Sequence, residues 1–315
     1  MVRRVLVGVV VATALAAIPL STATVTSEPT AFGNRPTETV TYAKVGDREL
    51  KMDIYRPAKA DKPTPVVMHI HGGAWKFGTR RGYVGGAPLN WGTIPGVAED
   101  LTQRGYTMVS VDYRLTGEAK WPAQIHDVKA ATRFLRANAK KYNLDPTRFA
   151  AWGESAGAHL SAMLGTTAGV KSLEGDLGNA GESSAVQAVV DWFGPTDMAS
   201  MDDGSKNNKL MHGQANSPEA ALLGCKLDDC DKKLLDEASP LSHVSGKTAP
   251  FIIQHGKNDH VVPFQQSIVM EAALKKAGVP VEFQQLNSDH EFLGPVTPGQ
   301  VRNPMYAFLD KQFKN

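Results

Sequence analysis

The sequence predicts an α/β protein whose mainly parallel sheet of eight strands has helices on both faces. Eight short apolar or alternating runs predict strands, and from the third run onward segments with helical spacing of apolar residues lie between most of them. Strands that alternate with helices pair in parallel, because each helix returns the chain to the same end of the sheet. With 315 residues, of which 42% are hydrophobic and 21% charged, the chain suits a soluble globular domain.

Each element has a local signal. Residues 37–45 and 50–55 alternate apolar and polar side chains around Gly46-Asp47, which predicts an antiparallel hairpin. Prolines such as Pro122 and Pro263 mark helix starts. The other predicted strands are 66–70, 107–113, 149–152, 186–193, 251–255 and 281–286. The predicted helices lie near 97–104, 122–142, 155–164, 263–277 and 301–313.

Residues 196–245 have a different composition, rich in Asp, Ser, Asn and Lys, and we expect a small cap-like insertion over the sheet edge. The insertion belongs to a predicted domain that spans 37–315. Cys225 and Cys230 in this insertion are the only cysteines of the chain, so one small disulfide loop is predicted. A zinc site is the alternative, but no second Cys or His pair stands at ligand spacing.

Residues 1–23 have the layout of a secretory signal peptide. A short basic start precedes an apolar run over 5–20, and small residues follow, with cleavage expected after Ala23 or after Ala16. This run is shorter than the roughly 20 apolar residues that span a bilayer, so we expect secretion rather than a stable membrane anchor. Residues 24–36 predict a flexible linker.

The charge of the chain is close to balance. The formal charge is +2, and no cluster of Lys or Arg is longer than a pair. Nucleic acid and anionic membrane surfaces are therefore not expected as partners. The composition leaves the oligomeric state open.

The chain is organised around Gly153-Glu154-Ser155-Ala156-Gly157, which lies between a predicted strand and a predicted helix. A Gly-x-Ser-x-Gly sequence in this setting predicts a sharp turn that holds the serine in a strained conformation, with its hydroxyl above the sheet edge. A side chain in place of either glycine would collide with the neighbouring strand or helix. Ser155 is therefore the candidate nucleophile.

A serine hydroxyl needs a base, and the base needs a group that orients it. Asp259 follows the predicted strand 251–255, and His290 follows the predicted strand 281–286, so both reach the carboxyl edge of the sheet. The order serine, acid, histidine is typical of one hydrolase arrangement. Asp289 is the rival acid, but a side chain adjacent to His290 in sequence seldom points at its ring, so Asp259 is favoured.

Backbone amides would stabilise the negative oxygen that forms when the serine attacks. Ala156 supplies one amide at the start of the helix. The segment His71-Gly72-Gly73-Ala74-Trp75 supplies others, because glycine lets the backbone approach a substrate closely. Gly73 and Ala74 are assigned to this oxyanion hole, and the choice between Gly72 and Gly73 stays open by one position.

Other histidines and tryptophans have less defined roles. His69 and His71 lie two apart on one strand, but no third ligand stands at a suitable spacing, so no metal is expected. Trp75, in the oxyanion segment, is the candidate substrate contact. Four tryptophans fit either an acyl or aromatic pocket or the core. They are Trp75, Trp91, Trp121 and Trp192.

Four motifs together resemble the α/β-hydrolase esterases. They are His71-Gly72-Gly73-Ala74-Trp75, Val111-Asp112-Tyr113-Arg114-Leu115, Trp121-Pro122-Ala123 and Gly153-Glu154-Ser155-Ala156-Gly157-Ala158-His159-Leu160. Within this fold family the chain is similar to the hormone-sensitive-lipase-like carboxylesterases, and more closely to the bacterial feruloyl and acetyl-xylan esterase group, over roughly residues 39–313. Ala74 stands where the lipase-like pattern usually has a third glycine, which argues against the bulkiest alcohol groups as substrates.

The resemblance implies a cofactor-independent acyl transfer, in which an acyl-Ser155 intermediate is hydrolysed by water that His290 activates. We therefore expect a secreted serine carboxylesterase acting on small esters or on ester-decorated polysaccharide. An arylformamidase or amidase with the same triad is one alternative, because His-Gly-Gly-x-Trp also resembles the kynurenine formamidases, although these are intracellular. A non-catalytic ligand-binding protein of the same fold is the other, although no triad member is missing.

Overall fold

The structure is a computed structural model that describes residues 35–82, 90–202 and 212–314. The predicted signal peptide and most of the predicted linker lie outside the described residues. The eight predicted strands are present in one sheet. They are β1 (Glu38–Val45), β2 (Arg48–Tyr55), β3 (Thr64–Ile70), β4 (Thr107–Val111), β5 (Leu144–Glu154), β6 (Ala188–Trp192), β7 (Phe251–Gly256) and β8 (Val281–Leu286).

The sheet order among the described residues is β1-β2-β4-β3-β5-β6-β7-β8. β1 pairs antiparallel with β2, β2 pairs antiparallel with β4, and the five remaining pairs are parallel. The prediction of a mainly parallel sheet that begins with an antiparallel hairpin is confirmed. Because β3 and β5 to β8 run in one direction, their carboxyl ends meet at one edge of the sheet, where reactive groups collect in such folds.

Helices cover both faces of the sheet, as predicted. In β3, Met68 packs in a hydrophobic cluster with residues of the helices at 123–137, 156–166 and 265–276, whereas Val67 packs in another cluster with residues of the helices at 94–103 and 298–313. Successive strand residues point to opposite faces, so the two clusters are the two sides of the sheet. The helices of the described residues are α1 (Ile94–Gln103), α2 (Ala123–Ala137), α3 (Ala139–Tyr142), α4 (Ala156–Thr166), α5 (Lys171–Glu174), α6 (Pro218–Leu223), α7 (Lys232–Glu237), α8 (Gln265–Lys276) and α9 (Pro298–Phe313).

Two helix boundaries differ from the prediction. The helix predicted over 122–142 is broken at Asn138, whose side-chain amide donates to Phe134 O over 2.9 Å. Such a bond competes with the helical pattern of the backbone and favours an end. The last helix begins at Pro298 rather than near 301, because Thr297 and Gln300 form a capping box that satisfies its first amides.

The described part of the insertion 196–245 contains α6, α7 and three short 3₁₀ turns. The predicted disulfide between Cys225 and Cys230 is present within it. Several hydrogen bonds join the insertion to segments near the carboxyl edge of the sheet. Among them are His159 Nε2–H to Ala238 O at 2.8 Å, Trp121 N–H to Leu222 O at 2.9 Å and His212 Nε2–H to Val261 O at 2.9 Å. Its role as a cap stays a prediction.

The helices of the described residues were also compared with the requirements of a membrane span. None of them is both long enough and apolar enough to cross a bilayer. The apolar run over residues 5–20 lies outside the described part of the chain, so its expected removal with the signal peptide stays a prediction.

Candidate active site

Ser155 lies at the junction of β5 and α4. It is the N-cap residue of α4, with φ 53° and ψ −121°, and such a conformation costs a non-glycine residue about 1–3 kcal/mol. Its amide donates to Trp192 O, at the end of β6, over 2.9 Å. Ser155 as a whole is 8% exposed. The strained turn expected from the sequence is therefore present, and it places the serine at the carboxyl edge of the sheet.

Gly153 and Gly157 leave no room for side chains. A Cβ at Gly153 would lie 2.6 Å from Ile70 O, and a Cβ at Gly157 would clash with the same oxygen and lie 2.7 Å from the carbonyl carbon of His71. These atoms are backbone at the end of β3, which cannot rotate away as a side chain can. The close approach of the elbow to β3 therefore requires both glycines, as the sequence predicts.

The two carboxylates considered as the acid have different partners. Asp259 Oδ2 accepts a hydrogen bond from His290 Nδ1–H over 2.8 Å. Asp289 Oδ2 instead accepts from His260 Nδ1–H over 2.9 Å, and Asp289 Oδ1 accepts the backbone amide of His290 over 2.7 Å. Asp259 thus faces the ring of His290, whereas Asp289 holds only its backbone.

Asp259 also receives a second imidazole. His255 Nε2–H donates to Asp259 Oδ2 over 3.1 Å, and the amides of Val261 and Val262 donate to Oδ1 over 2.8 Å each. Burial by itself raises the pKa of Asp259, but the hydrogen bonds from His255 and His290 and the charges of these rings outweigh it and hold the pKa well below its usual value. The carboxylate is therefore ionised at neutral pH.

His290 keeps one ring nitrogen available. Burial lowers its pKa, but the hydrogen bond to Asp259 and the negative charge of Asp259 outweigh this effect, and the pKa lies above its usual value. Among the described residues Nε2 has no hydrogen-bond partner, the Ser155 hydroxyl included, and bonds of this kind often form only as substrate binds. The ring packs against Phe193, 4.7 Å between centroids, and Phe193 follows Trp192, which holds the Ser155 amide.

The oxyanion segment offers two backbone amides. The Gly72 amide donates to Glu154 Oε1 over 2.9 Å, so it is not available to a substrate. Gly73 and Ala74 have φ of 102° and 56°, in the left-handed region, and their amides have no acceptor in the described part of the chain. Of the two positions left open by the sequence, this geometry favours Gly73.

Glu154 connects the elbow to the oxyanion segment. Besides the Gly72 amide, it accepts a hydrogen bond from His69 Nε2–H at Oε2 over 2.8 Å, and Glu154 is only 1% exposed. His69 Nδ1 in turn accepts from the Ser110 hydroxyl over 2.9 Å. His69 is thus a structural residue, as expected, and within the described ranges no group of three or more His, Cys, Asp or Glu is arranged to hold a metal ion.

Trp75 is buried beneath the oxyanion segment. It is 1% exposed, and its Nε1–H donates to His159 Nδ1 over 3.2 Å. Burial lowers the pKa of His159 to about 4, so the ring is neutral and can accept this bond. The assignment of Trp75 to substrate binding stays a prediction, and the placement adds a role in holding the segment. The other three tryptophans considered for a pocket, Trp91, Trp121 and Trp192, are buried as well.

Two large apolar side chains are well exposed near these groups. Phe77 is 63% exposed and Leu293 is 53% exposed. The Phe77 amide donates to Gly73 O over 2.9 Å, and the Leu293 amide donates to His290 O over 3.1 Å. One exposed apolar side chain therefore follows the oxyanion segment, and another follows the histidine.

Comparison with known proteins identifies the relatives of this chain. The sequence model of the BD-FAE family matches residues 52–274. Esterase LipQ of Mycobacterium tuberculosis is 32% identical over 253 residues, which are 78% of this chain and 55% of the relative. The chain therefore spans about half the length of this curated relative.

Solved structures show the same fold. A truncated carbohydrate esterase from gut microbiota superposes with a TM-score of 0.74 at 30% identity, covering 90% of this chain and 100% of that one. A bifunctional GH43-CE protein of Bacteroides eggerthii superposes with a TM-score of 0.69 at 36% identity, covering 87% of this chain and 37% of that one. The predicted α/β-hydrolase fold and the resemblance to esterases are confirmed.

Proposed function

This chain belongs to the BD-FAE family of α/β-hydrolases, and on that premise we propose that it hydrolyses carboxylic esters with Ser155 as nucleophile, His290 as base and Asp259 as the orienting acid. One observation carries the proposal. His290 is bound to an ionised Asp259 through Nδ1, and no group in the described part of the chain binds its Nε2 at the same sheet edge as the strained Ser155. An imidazole held in this tautomer can accept a serine proton.

The proposed reaction has two steps. Ser155 Oγ attacks the ester carbonyl carbon while His290 Nε2 takes the hydroxyl proton, and the negative oxygen is held by the amides of Gly73, Ala74 and Ala156. His290 then gives the proton to the departing alcohol, which leaves an acyl-Ser155. Water attacks this acyl group, with His290 again taking the proton, and releases the carboxylic acid and the free serine.

The direct test is the Ser155→Ala variant with p-nitrophenyl acetate as substrate. We expect a loss of activity of about 10³-fold or more, with an unchanged circular dichroism spectrum. Ser172→Ala, an exposed serine in α5, is the matched control and should keep full activity. If the Ser155 variant kept most of its activity, the assignment would be wrong.

For the substrate, we propose an acetyl or feruloyl ester carried on a carbohydrate. The carbohydrate esterases among the structural neighbours support this class. The exposed Phe77 and Leu293 also support it, because they follow the oxyanion segment and His290 and offer apolar surface to the flat face of a sugar or an aromatic acid. Hydrolysis of p-nitrophenyl acetate, methyl ferulate, acetylated xylan and a matching anilide should be compared. Activity confined to the simple aryl ester would contradict the carbohydrate proposal.

We also propose that the protein is exported, with residues 1–23 removed. The basic start, the apolar run and the small residues that follow support export. The Cys225–Cys230 disulfide fits an oxidising compartment. Amino-terminal sequencing of the protein recovered outside the cytoplasm should begin after Ala23 or Ala16, and an intact start would contradict the proposal.

A further inference from the structure

The Asp259 carboxylate is shared between two imidazole rings. His255, the fifth residue of β7, is 0% exposed, and its Nε2 lies 3.1 Å from Asp259 Oδ2, the same oxygen that His290 Nδ1 approaches to 2.8 Å. His255 Nε2 also lies 3.1 Å from the backbone oxygen of Val262. Neither oxygen can donate a hydrogen, so His255 Nε2 carries one and donates it.

Ser267 of α8 contacts the other ring nitrogen of His255. The Ser267 hydroxyl lies 2.7 Å from His255 Nδ1 and is 1% exposed as a residue. A hydroxyl can donate or accept, so Ser267 satisfies Nδ1 in either role, while the two acceptors at Nε2 require a hydrogen there. The rings of Phe193 and Phe264 pack against His255 at 6.3 and 5.4 Å between centroids and hold its plane. The donor that faces Asp259 is therefore set by its surroundings rather than by chance.

The consequence concerns how strongly Asp259 attracts the proton of His290. The carboxylate accepts four hydrogen bonds, two from imidazoles and two from the amides of Val261 and Val262. Each donor stabilises the negative charge, so each lowers the affinity of the carboxylate for a proton. With His255 in place, Asp259 still orients the His290 ring but pulls less strongly on its proton than a carboxylate with one imidazole partner would.

We propose that His255 is a positioning residue that fixes the Asp259 carboxylate and limits the basicity of His290. The inference rests on the proposed triad of Ser155, His290 and Asp259. It goes beyond that triad, because His255 touches neither the substrate nor the reacting atoms and acts only through Asp259.

Other charged groups act on this cluster, and those that act on His290 stay constant in the test. Asp259, Glu291 and Asp289 all act on His290, and Asp191 faces His255 from β6. Replacing His255 removes one donor from Asp259 and leaves Glu291 and Asp289 unchanged. Any shift in the titration of His290 between two variants at position 255 then reports the lost donor.

The experiment is the pH profile of kcat/KM for three variants. His255→Phe keeps a ring but removes the donor. We expect the acid limb of the profile, where kcat/KM falls as the pH falls, to move to higher pH by about one unit, because the Asp259 carboxylate has lost one stabilising hydrogen bond. His255→Gln keeps an N–H near the position of Nε2 and should return the acid limb to near its wild-type pH. His260→Phe, which removes an imidazole from Asp289 instead, is the matched control and should leave the limb in place.

The outcomes separate this inference from the proposed function. A His255→Phe enzyme with an unshifted acid limb would overturn the inference while leaving the triad intact. A Gln variant as strongly shifted as the Phe variant would also overturn it, because ring packing rather than the donor would then matter. If the Phe variant does not fold, His255→Asn decides, because its side chain ends near the position of Nδ1 and offers no donor in the place of Nε2: a shift of the limb to higher pH supports the inference, and an unchanged limb overturns it.

Discussion

Replacing Asp259 with Asn tests the proposed triad at its most constrained atom. Oδ1 accepts two backbone amides over 2.8 Å each. The amide oxygen of the Asn side chain must therefore occupy this place, since its NH₂ group would meet two N–H donors there. The NH₂ group then faces His255 and His290 in the place of Oδ2. His290 Nδ1 can accept from this group only if the ring hydrogen moves to Nε2.

A hydrogen on Nε2 prevents His290 from acting as the base. The ring can no longer take the proton of Ser155, so we expect kcat for p-nitrophenyl acetate to fall about 10⁴-fold, the size seen when a triad aspartate is replaced in this way. This fall corresponds to about 5.5 kcal/mol of transition-state stabilisation. The assay is steady-state hydrolysis at pH 7 to 9, with the fold checked by circular dichroism.

Asp289→Asn is the matched control for Asp259→Asn. The Asp289 carboxylate accepts hydrogen bonds from the backbone amides of His260 and His290 and from the ring of His260, but not from the ring of His290, so its variant should stay within about tenfold of the wild-type rate. An Asp259→Asn enzyme within tenfold of wild type, or an Asp289→Asn enzyme with the larger loss, would refute this account of the acid.

Three further predictions follow from the site. Glu154→Ala leaves the Gly72 amide and the His69 Nε2–H without their acceptor, so urea unfolding should show a loss of about 1–3 kcal/mol in the free energy of unfolding, and equal stability would contradict the tether. Gly157→Ala should lower Tm sharply because its Cβ meets only backbone, whereas Gly117→Ala, with open space around it, should not. Finally, the raised pKa of His290 should place the acid limb of kcat/KM above about pH 6.5, with activity falling as the pH falls; a limb below pH 6 would contradict it.

Much of the fold can be predicted because its elements are encoded locally. The eight strands follow from apolar runs and from the Gly46 turn, and their parallel pairing follows from the helices between them. Boundaries are less predictable, because side chains decide them one at a time. Asn138 ends a helix through a single bond to Phe134, and Thr297 starts one through a capping box. The spacing of apolar residues does not predict such bonds.

The same distinction applies to the candidate site. Ser155, Asp259 and His290 each follow a strand, so the sequence alone places them at one edge. The role of His255 escapes the same reasoning, because a histidine within an apolar strand resembles any buried polar residue. Its spacing is a usable signal in retrospect: His255 and Asp259 are four residues apart across the turn at Gly256, which lets the ring reach the carboxylate. The contact with Ser267 depends on how α8 packs and has no local signal.

The central claim is that Ser155 is an activated nucleophile, and covalent labelling tests it most directly. A fluorophosphonate should add one adduct to the intact protein, and peptide mass spectrometry should find it on Ser155, with no adduct in the Ser155→Ala variant. Slower labelling of Asp259→Asn should accompany its lower rate of hydrolysis. A wild-type protein that stays unlabelled while folded, or one that is labelled at a different serine, would contradict the account.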